Sequence, residues 1–181
     1  MRRICNIFNS TKNLNICRFL ILELCAGTLE DFLRDKFPGL EPNELRWLYQ
    51  MAAGVNYIHS RNMVHRDIKP DNILLYGAID DVNLKISDFG YSKRTTERGS
   101  YSLSSGVKGT LNYLAPELMN FIDDNEVNLK RRATTASDVF ALGCTFLRFL
   151  AKGAHPFGNG PHIMSNIANG KSDLSSEFIK P

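Results

Sequence analysis

Residues 64–75 read Val64-His65-Arg66-Asp67-Ile68-Lys69-Pro70-Asp71-Asn72-Ile73-Leu74-Leu75, a charged loop closed by a short apolar run. The carboxylate of Asp67, the ammonium of Lys69 and the amide of Asn72 can meet at one point only if the backbone curls back on itself. Phosphoryl transfer needs that convergence. Asp67 would accept the hydrogen bond of an attacking hydroxyl, Lys69 would neutralise charge on the moving group, and the Asn72 side-chain oxygen would hold a magnesium ion. Downstream, Lys85-Ile86-Ser87-Asp88-Phe89-Gly90 offers Asp88 as a further oxygen ligand for metal that bridges nucleotide phosphates.

Either stretch alone is weak, since His-Arg-Asp can close a surface turn and Asp-Phe-Gly can end a strand. Here they are followed, in order, by Gly109-Thr110-Leu111-Asn112-Tyr113-Leu114-Ala115-Pro116-Glu117 and by Ser137-Asp138-Val139-Phe140-Ala141-Leu142-Gly143. That series resembles the eukaryotic protein kinases. The resemblance implies an α+β, protein-kinase-like fold, mainly the helical large lobe with the hinge and a remnant of the small-lobe sheet. Residues 1–26 would be the small-lobe remnant and hinge, and 27–181 a partial large lobe. It also implies ATP and Mg2+ as cofactors and a protein hydroxyl as substrate. Asp67, Lys69, Asn72 and Thr110 would be catalytic, and Asn72 and Asp88 the metal ligands. Leu22, Glu23, Cys25, Lys69, Asn72, Leu74 and Asp88 would bind the nucleotide, with the Glu23 carbonyl and the Cys25 amide on the adenine edge, Leu22 behind it and Leu74 beneath. Lys69 and Thr110 favour Ser/Thr over Tyr acceptors.

Composition agrees with one soluble domain: 181 residues, 43% apolar, with no charge block. A net charge of +3 is too small to indicate nucleic-acid binding. Cys5, Cys17, Cys25 and Cys144 show no metal-binding spacing and read as buried free thiols in a reducing compartment. No signal peptide or membrane-length apolar run stands out, so a cytoplasmic location without membrane contact is expected.

From the N-terminus, Arg3 to Phe8 and Ile16 to Leu24 read as strands around the polar turn Asn9 to Asn15, the second strand buried. Thr28-Leu29-Glu30-Asp31 starts a short helix with an N-cap. Leu45, Leu48, Ala52, Val55 and Ile58 then recur at helical spacing and predict one core-facing stripe, with His59 as a terminal or packing histidine. Residues 73–75 and 84–86 predict a hairpin. The helix from Ser137 to Ala151 is apolar nearly all round and should be buried. A buried Asp138 must be paired, and in kinases the matching residue accepts backbone N–H bonds from the catalytic loop. His155 reads as a loop residue rather than a ligand.

Tyr91 to Val107 is serine-rich and polar, and predicts a mobile loop. It lies where kinase activation loops sit. Ser100, Ser102 and Ser105 are therefore regulatory candidates, and Arg66 is the expected phosphate partner. Glu117 is assigned a structural role whose usual Arg partner would lie past residue 181.

Leu22 to Leu29, the loop Gly99 to Val107 and Gly153-Ala154-His155-Pro156-Phe157-Gly158 are similar to the kinase domain of the inositol-requiring kinase/endoribonuclease of the unfolded protein response. For a full-length relative this implies self-association and a place on the cytosolic face of the endoplasmic reticulum. Glycine-rich loop, strand lysine and helix glutamate are absent before Asp67, so a partial chain is expected. Two functions are consistent with the residues: an active Ser/Thr kinase, or a nucleotide-binding kinase-like module that gates dimerisation and an attached endoribonuclease.

Overall fold

The computed structural model describes residues 4–7, 18–78, 81–122 and 131–173. Strands β1 (Ile4–Ile7) and β2 (Arg18–Ile21) pair antiparallel, Ile4 opposite Ile21. The second strand stops short of Leu24. Leu22 and Leu24 are 56% and 45% exposed, which corrects the expectation of a buried strand through this stretch. The expected turn at 9–15 lies outside the described residues.

After the irregular stretch 22–25 come β3 (Gly27–Thr28) and α1 (Leu29–Leu33). Thr28 Oγ1 accepts from Asp31 N at 3.0 Å and Asp31 Oδ2 accepts from Thr28 N at 3.1 Å, a reciprocal cap that fixes where the helix starts. Helix α2 (Glu44–Ser60) is capped by Asn43, whose Oδ1 accepts from Arg46 N at 3.0 Å. Its buried stripe is Trp47, Met51, Val55 and Ile58, while Leu45 is 80% exposed. The sequence pattern thus contained two phases. Leu45 lies two residues from Trp47, about 200° around the wheel, and the large indole takes the core side.

Strand β4 (Met63–Val64) leads into the charged loop, which is followed by β5 (Ile73–Tyr76) and β6 (Asn83–Ile86). The expected hairpin forms with Ile73 opposite Ile86, and β3 adds to the other edge of β5. Gln50 of α2 ties this sheet down: its Oε1 accepts from Leu84 N at 2.9 Å and its Nε2 donates to Asn83 Oδ1 at 2.7 Å. The loop 65–72 is therefore held at both ends, by a helix terminus before it and by a sheet after it.

The serine-rich stretch does not run free. Strand β7 (Lys93–Arg94) pairs with β4, and β8 (Ser100–Ser102) pairs with β9 (Arg132–Thr134) beyond helix α3 (Pro116–Met119). The physical reason is Tyr101, which is 2% exposed within an apolar cluster of Val64, Leu103, Leu114, Leu118 and Ala133. One buried aromatic anchors a segment that composition alone marks as mobile.

Helices α4 (Ala136–Leu150) and α5 (Ile163–Ala168) complete the described part. The main core joins α2, the β5–β6 hairpin and α4, with Trp47 edge-on to Phe32 at 5.2 Å and stacked on Phe149 at 5.6 Å. One side of α4 is buried, but Val139 and Leu150 are exposed, so the expectation of burial all round is corrected. The buried-thiol expectation holds for Cys144 and fails for the half-buried Cys25; the side chains of Cys5 and Cys17 lie outside the described residues. Among the described residues no helix is long and apolar enough to cross a membrane.

Candidate active site

Asp138, 1% exposed in the first turn of α4, fastens the charged loop from behind. Its Oδ2 accepts from His65 N and its Oδ1 from Arg66 N, both at 2.8 Å. Its Oδ2 also lies 2.9 Å from Nε2 of His59 at the end of α2, so the histidine read as terminal packing belongs to this anchor. His65 is fully buried. Its Nε2 donates to the Ser87 carbonyl at 2.9 Å, its Nδ1 accepts from Asp67 N at 3.3 Å, and its ring meets Phe89 edge-on at 5.0 Å. One imidazole thus connects the loop that carries Asp67 to the segment that carries Asp88.

Around Asp67 the four expected catalytic residues come together. Its Oδ1 accepts from Thr110 Oγ1 at 2.8 Å, its Oδ2 accepts from Asn72 Nδ2 at 3.0 Å, and Lys69 Nζ stands 3.2 Å from that same Oδ2. Lys69 Nζ also donates to Thr110 Oγ1 at 2.6 Å. Thr110 reaches this point because Gly109 passes against the loop at φ +121°, where a Cβ would collide with the carbonyl oxygen of Arg66. Only glycine fits that approach.

Asn72 directs its Nδ2 at both the backbone oxygen (2.8 Å) and the carboxylate of Asp67, which leaves its amide oxygen as the group for a cation. Asp88 sits at φ +60° and its Oδ1 accepts from Gly90 N at 3.2 Å. Amide and carboxylate oxygens suit a hard cation such as Mg2+, which is ordinarily held by one or two protein oxygens plus phosphates. No cluster of three or more His, Cys, Asp or Glu that could hold a metal occurs among the described residues.

Leu22, Glu23, Cys25 and Leu74 line one cavity of about 400 Å³ together with Thr28 and Asp31. Leu74 contributes from β5, and Ala26 N donates to Leu75 O at 2.8 Å, which sets the spacing between hinge and sheet. Glu23 bonds Lys85 of β6, whose ammonium lies 3.8 Å from the Tyr76 ring centre. That carboxylate raises the Lys85 pKa, whereas burial pushes the Cys25 thiol up despite the nearby ammonium.

The three candidate serines are placed differently from one another. Ser100 Oγ accepts from Arg132 Nε at 2.6 Å, Ser102 Oγ accepts from Ser104 N at 3.1 Å, and Ser105 is exposed. Arg66 Nε bonds the Tyr91 carbonyl, and its guanidinium lies 5.9 Å from the ring centre of Tyr101, the residue between Ser100 and Ser102. Its Nη1 is buried without a hydrogen-bond partner, and burial lowers its pKa. Lys93, a basic residue of the same segment, donates to Ser102 O at 2.8 Å, and Arg132 is the cation that the sequence reading missed. Arg132 becomes visible only through the β8–β9 register, which opposes it to Ser102. Glu117 lies exposed on α3.

A family model for the protein kinase domain matches residues 2–178, and the chain belongs to that family. Among curated relatives, it is 37% identical over 164 residues to the human serine/threonine-protein kinase/endoribonuclease IRE2, covering 87% of this chain and 17% of that protein. To the Caenorhabditis elegans serine/threonine-protein kinase/endoribonuclease ire-1 it is 35% identical over 168 residues, 87% of this chain and 16% of the relative. Human mitogen-activated protein kinase kinase kinase 5 is 39% identical over 137 residues, 73% of this chain and 9% of that protein. The chain therefore spans about a sixth of the length of the kinase/endoribonuclease relatives.

Proposed function

We propose that this chain supplies the catalytic loop, metal-binding segment and hinge of a Ser/Thr protein kinase of the unfolded-protein-response sensor type, acting on protein hydroxyls with ATP and Mg2+. What supports the reading is the gathering of Lys69, Asn72 and Thr110 on the Asp67 carboxylate. A carboxylate offers about four acceptor positions; three donors occupy it here, and the fourth is left for the hydroxyl that attacks. Asp67 orients that hydroxyl and takes its proton. Lys69 and the Thr110 hydroxyl hold the carboxylate in place, and the Lys69 ammonium faces the developing charge. Asn72 and Asp88 would hold Mg2+, which when bound neutralises charge on the phosphates. The cavity at Leu22, Cys25 and Leu74 would take the adenine ring.

Two variants separate these roles in the protein with its natural flanking sequence. Asp88→Asn removes a charged metal ligand and should lose both tight Mg-ATP binding and transfer. Asp67→Asn spares the metal, so calorimetry should find binding nearly intact while transfer is lost. Equal loss of Mg-ATP affinity in the two variants would sink the assignment.

A further inference from the structure

Helix α4 makes a second set of polar contacts at the end opposite Asp138, about 15 Å along its axis. There Arg148 donates from Nε to Gly153 O at 3.0 Å, from Nη1 to Tyr113 Oη at 2.7 Å and from Nη2 to Glu30 Oε1 at 3.0 Å. Its Nη1 also lies 2.9 Å from Glu30 Oε2, so carboxylate and guanidinium meet at two atoms, fork to fork. Arg34 Nε shares Glu30 Oε1 at 2.9 Å. Glu30 is 6% exposed, and a pair so enclosed is screened far less by salt than one at the surface. Burial opposes the charge on Arg148, but the Tyr113 hydroxyl and the Glu30 carboxylate outweigh it and raise the Arg148 pKa.

The two partners of Arg148 belong to opposite edges of the site. Glu30 stands in α1, and Thr28 and Asp31, which cap that helix, line the hinge cavity. Tyr113 ends the 3-10 turn Leu111–Tyr113, which follows directly on Thr110. Its N donates to Thr110 O at 2.9 Å, and the Thr110 hydroxyl donates to Asp67. The buried Tyr113 ring meets His155 edge-on at 5.3 Å. Burial and then Arg148 lower the His155 pKa to about 4, so that imidazole is neutral at neutral pH. Burial, with Glu30 and Asp71 acting in the same direction, pushes the Tyr113 hydroxyl up to about 12 against the pull of Arg148. Neither ring changes charge near neutrality, so the bond from Arg148 to Tyr113 is a constant tie.

Resting on the kinase reading above, we infer that Arg148 is a positioning residue for phosphoryl transfer: it ties Tyr113 to α1 and thereby sets the Thr110 hydroxyl against the Asp67 carboxylate. Helix α4 then serves the site at both ends, holding the loop of Asp67 through Asp138 and its front partner through Arg148. The Thr110 hydroxyl occupies one acceptor position of that carboxylate, so its placement governs which positions face an attacking hydroxyl. A single hydrogen-bonded turn moves as a unit, and a shift of the Tyr113 side chain reaches Thr110 with little loss. Misplacement by about 1 Å can cost on the order of a hundredfold in rate. Arg148 neither lines the hinge cavity nor bonds Asn72 or Asp88, so its tie to Tyr113 bears on transfer and not on nucleotide binding.

Tyr113→Phe keeps the ring and removes only the oxygen that Arg148 reaches, so it tests the tie without emptying the core. In the protein with its natural flanking sequence it should lower kcat about tenfold and leave KM for ATP within about twofold. Added to Thr110→Ala it should slow the residual transfer no further, because its effect passes through that hydroxyl. The 181-residue chain gives a readout that needs no activity. With threonine methyls labelled with carbon-13, the NMR signal of Thr110 should move in Tyr113→Phe and in Arg148→Lys, which keeps the charge and loses the fork. The signal of Thr96, whose hydroxyl accepts from Ser100 N in the serine segment, should stay. An unmoved Thr110 signal, a raised KM for ATP with kcat unchanged, or a full further loss on top of Thr110→Ala overturns the inference. If the parent transfers no phosphate, the catalytic reading falls and the Thr110 signal alone decides whether Arg148 positions that residue.

Discussion

Replacing Asp138 by Ala should loosen the catalytic loop without touching any group that meets substrate. The His65 N–H bonded by this carboxylate is buried and would be orphaned, at a cost of about 1–3 kcal/mol. The Arg66 N–H is only partly buried, so water can replace some of its bond, and about 1 kcal/mol is lost there. His59 is 19% exposed and can turn to solvent. The sum is about 3 kcal/mol. With a urea slope of about 2 kcal/mol/M, the unfolding midpoint should fall by about 1.5 M. Asp138→Asn should rescue little, because the carboxamide can accept one N–H but sets its own NH2 against the other. Asp31→Ala is the control: that carboxylate lies at a half-exposed helix cap, and its loss should cost about 1 kcal/mol. If chemical denaturation showed Asp138→Ala to be no more damaging than Asp31→Ala, the loop would not be held in the way argued here.

The remaining expectations concern acid stability and the serine segment. His155 has a folded-state pKa lowered from 6.5 to about 4, so the unfolded chain binds the extra proton first as pH falls. Its neutral form gives stability that is complete above pH 6.5 and is lost as pH falls toward 4, a loss on the order of 3 kcal/mol. The thermal midpoint of His155→Gln should fall less over that range than that of the parent, and parallel curves would refute it. In a longer protein able to phosphorylate itself, mass spectrometry should find phosphate among Ser100, Ser102 and Ser105, and Ser105→Ala should slow transfer more than Ser104→Ala. Phosphate confined to other segments, or equal rates for the two variants, would refute the regulatory assignment.

What the sequence made legible was local or compositional. The convergence of Asp67, Lys69 and Asn72 follows from a short loop whose ends are pinned, and the β5–β6 hairpin follows from two apolar runs about a polar turn. The misreadings arose where a tertiary partner decides. Leu45 and Trp47 offered competing helix faces, and the larger side chain won the core. Tyr101 was one aromatic among serines, too little to outweigh a polar composition until Val64 and Leu118 are seen around it. Arg132 lay 32 residues from Ser100, and only strand register could join them.

The same distinction bears on how the site works as a mechanical object. Asp67 is positioned through its own loop by Asn72, from the front by Thr110 and Lys69, and through His65 and Arg66 backbone amides by Asp138 on α4. These restraints come from elements far apart in sequence but meet within a few residues. Displacing the Gly109–Thr110 segment removes the Thr110 bond and leaves Lys69, Asn72 and Asp138 in place. The serine segment is bonded to the helix that carries this anchor, because Tyr101 Oη of β8 lies 3.1 Å from Ser137 Oγ, one residue before Asp138 on α4.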